Sequence, residues 1–294
     1  MTPDPVLVTG ATGSVGAGLI PELLVRGRRV RALVREPARA ALQAAVDVRS
    51  GDAVTGRGLA EALDGCVTAY YLIHSMGRGG ADDDFAARDR EAAVNFGEAA
   101  RTAGVGRVIY LGGLGDQDSD HLRSRLEVAT LLRERVPSLI HVRAAMIIGP
   151  GSASFVMLRS LVERLPVMVC PRWIDTRTQP IASRDVVAAL ASAGEHEQPP
   201  EELQLGGADV LTYREMMGRT AAVLGRRRPR IAKVPVLTPR LSSYWVALVT
   251  PVETGLVRPL VDGLGSEMVV TEPPPAGIND RPLGFDEAVR AALG

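Results

Sequence analysis

Apolar positions in the first half of the chain follow two rhythms. Short runs over residues 6–9, 30–34, 45–48, 67–73, 108–111 and 140–143 are rich in aliphatic and β-branched side chains, which predicts strands. Between them apolar residues recur at helical spacing. Leu19, Leu23 and Leu24 mark a helix over 15–26, and further helices are expected over 38–44, 58–63, 83–103 and 122–136. Strands that alternate with helices imply right-handed crossovers. They predict an α/β fold with a doubly wound, parallel, Rossmann-type sheet. After Pro150 the alternation breaks down. Helices are expected over 155–165, 183–193, 213–224 and 286–293, a strand over 203–205, and a helix start at Thr238-Pro239. The pattern divides the chain into a doubly wound domain over 1–150, the candidate ligand-binding unit of such a fold, and a smaller, mostly helical substrate or lid region over 151–294. The second is expected to be partly interleaved with the first.

Composition narrows the function classes. Lys plus Arg and Asp plus Glu both number 34, so the formal net charge is zero, and no basic excess points to nucleic acid or an anionic membrane surface. The chain carries only two cysteines, Cys66 and Cys170, and no CxxC pair. The opening residues lack the basic and apolar segments of a signal peptide, and no apolar run is long enough to span a bilayer. The expectation is a cytoplasmic protein with no nucleic-acid or membrane partner; a homodimer stays open. Lys233 is the only lysine in the chain.

The strongest motif is Thr9-Gly10-Ala11-Thr12-Gly13-Ser14-Val15-Gly16, which leaves a strand and opens a helix. Gly10 permits a tight turn, Gly13 lets backbone approach a diphosphate, and Gly16 lets helix and strand pack closely. Helix-start amides then face the phosphates. No Gly-Lys-Ser/Thr follows, which excludes a Walker loop. Large, soft side chains at Met146, Phe155, Met157, Met168, Trp173, Met216, Met217, Tyr244 and Trp245 are candidates for an adaptable apolar pocket, though many belong to the core. Asp82-Asp83-Asp84 reads as the acidic start of a helix rather than a metal site.

The glycine spacing, with RALVREPAR, YYLIHSMG and VIYLGGLG after it, resembles the atypical short-chain dehydrogenases/reductases, specifically their NmrA-like NAD(P)-binding branch. The resemblance runs nearly the whole chain. It implies a nicotinamide dinucleotide cofactor held by Thr9, Gly10, Thr12, Gly13, Ser14, Val15 and Gly16. In NAD-type relatives an acid ends the second strand; here that slot holds Val34, followed by Arg35 and, one helical turn on, Arg39. These arginines read as a clamp on the 2′-phosphate of NADP(H), preferred over NAD(H), while Glu36 is the residue able to hold a ribose hydroxyl instead. Asp52 is in place for the adenine amino group. His74 and Ser75, after the fourth strand, should face the cleft. Asn95 either points at the nucleotide or binds internal carbonyls.

The family's Ser-Tyr-Lys set is missing. Its YxxxK spacing falls on His121 and Arg125, its serine on Gly112 or Gly113, and Lys233 lies far away. An ordinary imidazole, about a quarter protonated at pH 7, can act as a general acid, so His121 is the candidate proton donor and His74 its competitor. Arg125 is a candidate hydrogen-bond donor to a developing oxyanion. Three functions stay open: an NADPH-dependent reductase of a hydrophobic small-molecule carbonyl, imine or enone; a non-catalytic NADP(H) sensor with a protein partner; and a non-redox isomerase or cyclase with the cofactor as scaffold.

Overall fold

A computed structural model describes residues 4–75, 85–115, 119–233, 246, 249–252 and 254–294. The expected Asp82-Asp83-Asp84 helix start, Thr238-Pro239, Tyr244 and Trp245 lie outside them.

The central sheet has seven strands, all parallel: β1 (Pro5–Val8), β2 (Arg29–Val34), β3 (Asp47–Ser50), β4 (Thr68–Tyr71), β5 (Arg107–Gly113), β6 (Leu139–Ala144) and β11 (Glu202–Leu205). Their spatial order is β11-β6-β5-β4-β1-β2-β3. The chain therefore winds outward in both directions from β1 and β4, whose registers meet at Val6 against Thr68. Alternation along each strand serves two cores. Val6, Val8 and Tyr70 face one side, against Leu19, Ile20 and Leu23 of α1 (Gly16–Val25). Leu7, Ala69 and Tyr71 face the other, against Phe96 of α3 (Phe85–Thr102). The remaining sheet helices are α2 (Leu59–Leu63) and α4 (Asp120–Arg133).

The helix expected over 38–44 does not form. Pro37–Arg39 makes one 3-10 turn, and residues 40–43 are irregular. Proline fixes a turn start, but the short segment then runs directly into β3 and buries too little to propagate a helix. The third strand correspondingly begins at Asp47, two residues later than its apolar run.

Beyond β6 the chain builds a second apolar core from β7 (Ile147–Ile148), α5 (Ala153–Arg164), β8 (Val167–Cys170), the 3-10 turn Arg172–Asp175, β9 (Arg177–Thr178), β10 (Ile181–Ala182), β12 (Leu211–Thr212), α7 (Tyr213–Val223), β13 (Arg230–Lys233), α8 (Thr254–Gly263) and α9 (Phe285–Leu293). Phe155, Met168, Trp173, Tyr213, Met216 and Phe285 are buried in it. Two elements of this half return to the first: α6 (Ser183–Glu195) packs on α1, and β11 extends the main sheet beside β6. No helix among the described residues is long and apolar enough to cross a membrane.

Candidate active site

Strand order reverses between β1 and β4, and a crevice opens outside their C-terminal ends, where doubly wound sheets bind ligands. Thr9 sets its width. Its side chain is fully buried, donates to the Tyr70 carbonyl at 3.1 Å and accepts the Leu72 N–H at 3.1 Å. The sequence reading had Thr9 touching the cofactor; instead its hydroxyl is spent on pinning β1 to β4.

Gly10 follows with φ +62°, and a Cβ there would lie 2.7 Å from the Leu72 carbonyl oxygen. The loop turns back so tightly that a Cβ on Gly16 would sit 2.3 Å from the Gly10 oxygen. A cavity of about 270 Å³ opens beside it, lined by Gly10, Gly13, Ser14, Val15 and Gly16 at one end. Thr12 is exposed at the loop tip. This cradle, where side chains would collide and helix-start amides face open space, fits a dinucleotide diphosphate.

The adenosine side differs in part from expectation. Arg35 is exposed at the end of β2 and has no ion pair among the described residues. Arg39, without the expected helix beneath it, turns back onto Glu36 at 2.9 Å, both side chains largely exposed. Such a surface pair is worth at most about 1 kcal/mol, so it opens readily. Asp52 binds its own turn: one carboxylate oxygen accepts the Val54 N–H at 2.8 Å. Asn95 resolves toward the backbone, donating to the carbonyls of Ala53 at 3.2 Å and Val54 at 2.7 Å.

His74 lines the cavity, but Ser75 does not face it. Ser75 is buried, and its N–H donates to Asp89 at 2.6 Å. Nothing in the sequence marked Asp89, a buried carboxylate that holds the chain leaving β4. Burial pushes its carboxyl up, opposed by Arg125 and the bonds from Ser75.

His121 and Arg125 also line the cavity, from the first turns of α4. Ser119 caps this helix, its hydroxyl accepting the Leu122 N–H at 3.3 Å. Arg125 donates to the Leu111 carbonyl at 3.1 Å, and Tyr110 donates to the Arg125 carbonyl at 3.2 Å. Burial, and then the Arg125 guanidinium, push the His121 imidazole down to about 3. The helix dipole acts the same way, since its N-terminus disfavours a cation. The expected partly protonated general acid is therefore corrected: at neutral pH His121 is an uncharged imidazole.

The missing family serine has a steric cause. A Cβ on Gly112 would lie 2.4 Å from Nε2 of His141, a buried ring stacked on Tyr110 with centroids 5.2 Å apart. At Gly113 it would press on Leu122 at 2.9 Å. Lys233 pairs with Asp175 on the surface and does not line the cavity. Among the described residues no three potential ligands gather for a metal.

The other end of the cavity belongs to the second core. Met146, Met157, Trp173 and Met217 line it as candidates, whereas Phe155, Met168 and Met216 are packed core. Tyr213, Leu158, Leu161 and Met268 join them unforeseen. Tyr213 had one legible signal, an aromatic directly after a hydroxyl N-cap, but its partner Trp173 is 40 positions away in sequence.

Comparison with known proteins bears on this arrangement. A family model described as NAD(P)H-binding matches residues 10–138. A ceramide reductase of Caulobacter vibrioides is 30% identical over 243 residues, covering 78% of this chain and 73% of that protein. The chain belongs to the NmrA-like branch of the atypical short-chain dehydrogenases/reductases. This is a family of NAD(P)H-binding oxidoreductases. A 3 beta-hydroxysteroid dehydrogenase/Delta 5-->4-isomerase of Mycobacterium tuberculosis is 37% identical over 114 residues, 36% of this chain and 30% of that protein. The solved structure of a Citrobacter sp. triphenylmethane reductase complexed with NADP(H) superposes with a TM-score of 0.76 at 20% identity, covering 98% of this chain and 100% of that one. An NADPH-dependent quinone oxidoreductase of Escherichia coli complexed with NADPH does so with a TM-score of 0.76 at 18% identity, also over 98% and 100%. The fold is thus shared across the whole chain, while the positions of the family's Ser-Tyr-Lys set hold other side chains.

Proposed function

We propose that this protein is an NADPH-dependent reductase of a hydrophobic small molecule, acting on acceptors whose reduced form is a delocalised anion or a neutral product. Quinones, enones and cationic imines belong to this class. The observation that carries the reading is the single cavity shared by the glycine loop, His121 and Arg125, and an apolar second-core wall. A sensor needs the glycine-loop end of such a space for its dinucleotide but has no use for the apolar far end. The names of the ceramide, triphenylmethane and quinone reductases support the same class.

When bound, the dinucleotide supplies a hydride from its nicotinamide ring. The amides of Ser14 to Gly16 would hold its diphosphate, the Gly13 N–H being already bonded to the Gly10 carbonyl at 2.9 Å, and Arg35 would hold a 2′-phosphate at the end of β2. Arg125, fixed by the Leu111 carbonyl, and an N–H of neutral His121 donate hydrogen bonds to the acceptor oxygen as negative charge develops there. Methionine and leucine side chains exclude water. Neutral His121 has no proton to release near pH 7, which leaves a simple ketone, whose alkoxide needs a proton at once, dependent on His74 alone and so disfavoured. An enolate or hydroquinone anion takes its proton from water afterwards.

The test is loss of NADPH absorbance against a panel of quinones, enones, cationic imines and unactivated ketones. Turnover of the first three and not the last is expected; tight NADPH binding with no turnover on any of them sinks the reading. The cofactor preference has its own measurement. Arg35→Ala should weaken NADPH binding about tenfold, the worth of one charge-assisted hydrogen bond, and leave NADH nearly unchanged. Equal losses for the two cofactors in titration calorimetry would dismiss the clamp.

A further inference from the structure

The chain that leaves β4 is pinned at two points three residues apart. The Leu72 N–H donates to the Thr9 hydroxyl at 3.1 Å, and the Ser75 N–H donates to the Asp89 carboxylate at 2.6 Å. Arg88 adds a second hold on Ser75, donating to its carbonyl at 3.4 Å. Between the pins stands His74, an exposed side chain that lines the cavity together with His121 and Arg125. A peptide unit is planar. The bond from the Ser75 N–H to Asp89 therefore fixes the plane that also contains the Cα and the carbonyl of His74.

Asp89 is a costly choice for this task. The helix α3 buries it on one face with Ala92, Ala93, Phe96 and Ala100, at the spacing of an apolar stripe. It is the one charged residue that this helix buries, and both it and Ser75 are 4% exposed. An alanine would complete the stripe, whereas a buried carboxylate loses its water and needs compensation. The two bonds at Ser75 and the charges of Arg88 and Arg125 supply it. Asp89 does not line the cavity, so it reaches the site only through the strand exit it holds.

We propose that Asp89 is a positioning residue that, through Ser75, fixes His74 as the proton donor of the cavity. The inference builds on the reductase reading. Of the titratable and cationic lining groups, His121 is neutral and Arg125 keeps its proton, while His74 is open to water. Once the hydride has reached the acceptor, an N–H bond of protonated His74 breaks and an O–H bond forms on the product anion. His74 then recovers its proton from water. The alignment of that transfer depends on the backbone that carries His74.

The test follows turnover of an enone by the NADPH-loaded protein. Asp89→Leu removes the acceptor and fills the stripe; it should lower kcat roughly tenfold while NADPH affinity stays within about twofold. Asp89→Asn keeps an oxygen for the Ser75 N–H and should restore most of the rate. In a His74→Gln background, Asp89→Leu should cost nothing further, because its effect runs through His74. If Asp89→Leu does not melt cooperatively, Arg88→Met loosens the same peptide and should give a smaller loss of the same kind. A second readout needs no turnover. The imidazole NMR signal that vanishes in His74→Gln should move in Asp89→Leu and stay in place in Asp89→Asn. Full additivity with His74→Gln, an unmoved His74 signal, or an Asn variant as impaired as the Leu variant overturns the positioning role. A parent protein that reduces no acceptor removes the reductase, and the His74 signal then decides the positioning role alone.

Discussion

Gly16→Ala is expected to weaken NADPH binding at least roughly 100-fold, about 2.7 kcal/mol. The new methyl group would lie 2.3 Å from the Gly10 oxygen and 3.0 Å from the Ala11 Cα. Both are backbone atoms, so no side chain can swing aside. The loop itself must move, and the amides that face the diphosphate move with it. One charge-assisted hydrogen bond is worth about 1.5–3 kcal/mol, so misaligning one or two accounts for the loss. Gly106→Ala is the control, because its nearest contact would be an ordinary 3.7 Å. Titration calorimetry on variants that melt cooperatively decides the matter. Affinity within threefold of the parent protein would show that the loop does not carry the diphosphate.

Acidification from pH 7 to pH 5 should cost about 4 kcal/mol of folding stability through two histidines, about 2 kcal/mol each. Burial and the Arg125 charge push His121 down to about 3. Burial pushes His141 down to about 4, opposed by Glu202 and reinforced by Arg143. The unfolded chain takes up these protons near pH 6.5 and the folded chain does not. The stability is therefore fully present above pH 6.5 and drains away as pH falls toward the folded values. Asp89 acts oppositely, since its raised carboxyl binds a proton in the folded state first. The discriminating quantity is thus the difference between parent and variant. His141→Gln should remove about half of the histidine-linked slope in urea unfolding at the two pH values. A slope unchanged in both His141→Gln and His121→Gln would refute the neutral assignment of the buried His141 and the half-buried His121.

Much of the sheet was legible because a parallel strand buried on both faces is a nearly continuous apolar run, as in Val108–Leu111; Val30–Val34 keeps the pattern around Arg31, which is buried only because its guanidinium is bonded to Asp47 and to the Ala62 and Asp64 carbonyls. The 38–44 segment misled because Ala38, Ala40, Ala41 and Ala44 have helical propensity, while Pro37 and the short distance to β3 decide its course. At the site, the glycine loop was legible because its function is local in sequence. Ser75 and Thr9 were misread for the opposite reason: their partners, Asp89 and Tyr70, are 14 and 61 positions away. His121 was found by its spacing, but its protonation depends on burial and on Arg125, which no spacing encodes. The distant Trp173–Tyr213 pair exists only after the second half folds back.

That return has a practical meaning for anyone dissecting the molecule. Because β11 covers the flank of β6 and α6 covers α1, a fragment ending at Pro150 would carry an open row of backbone donors and acceptors and a bare greasy helix surface. Such a piece is poised to stick to its own copies, so the dinucleotide half is best studied within the intact polypeptide.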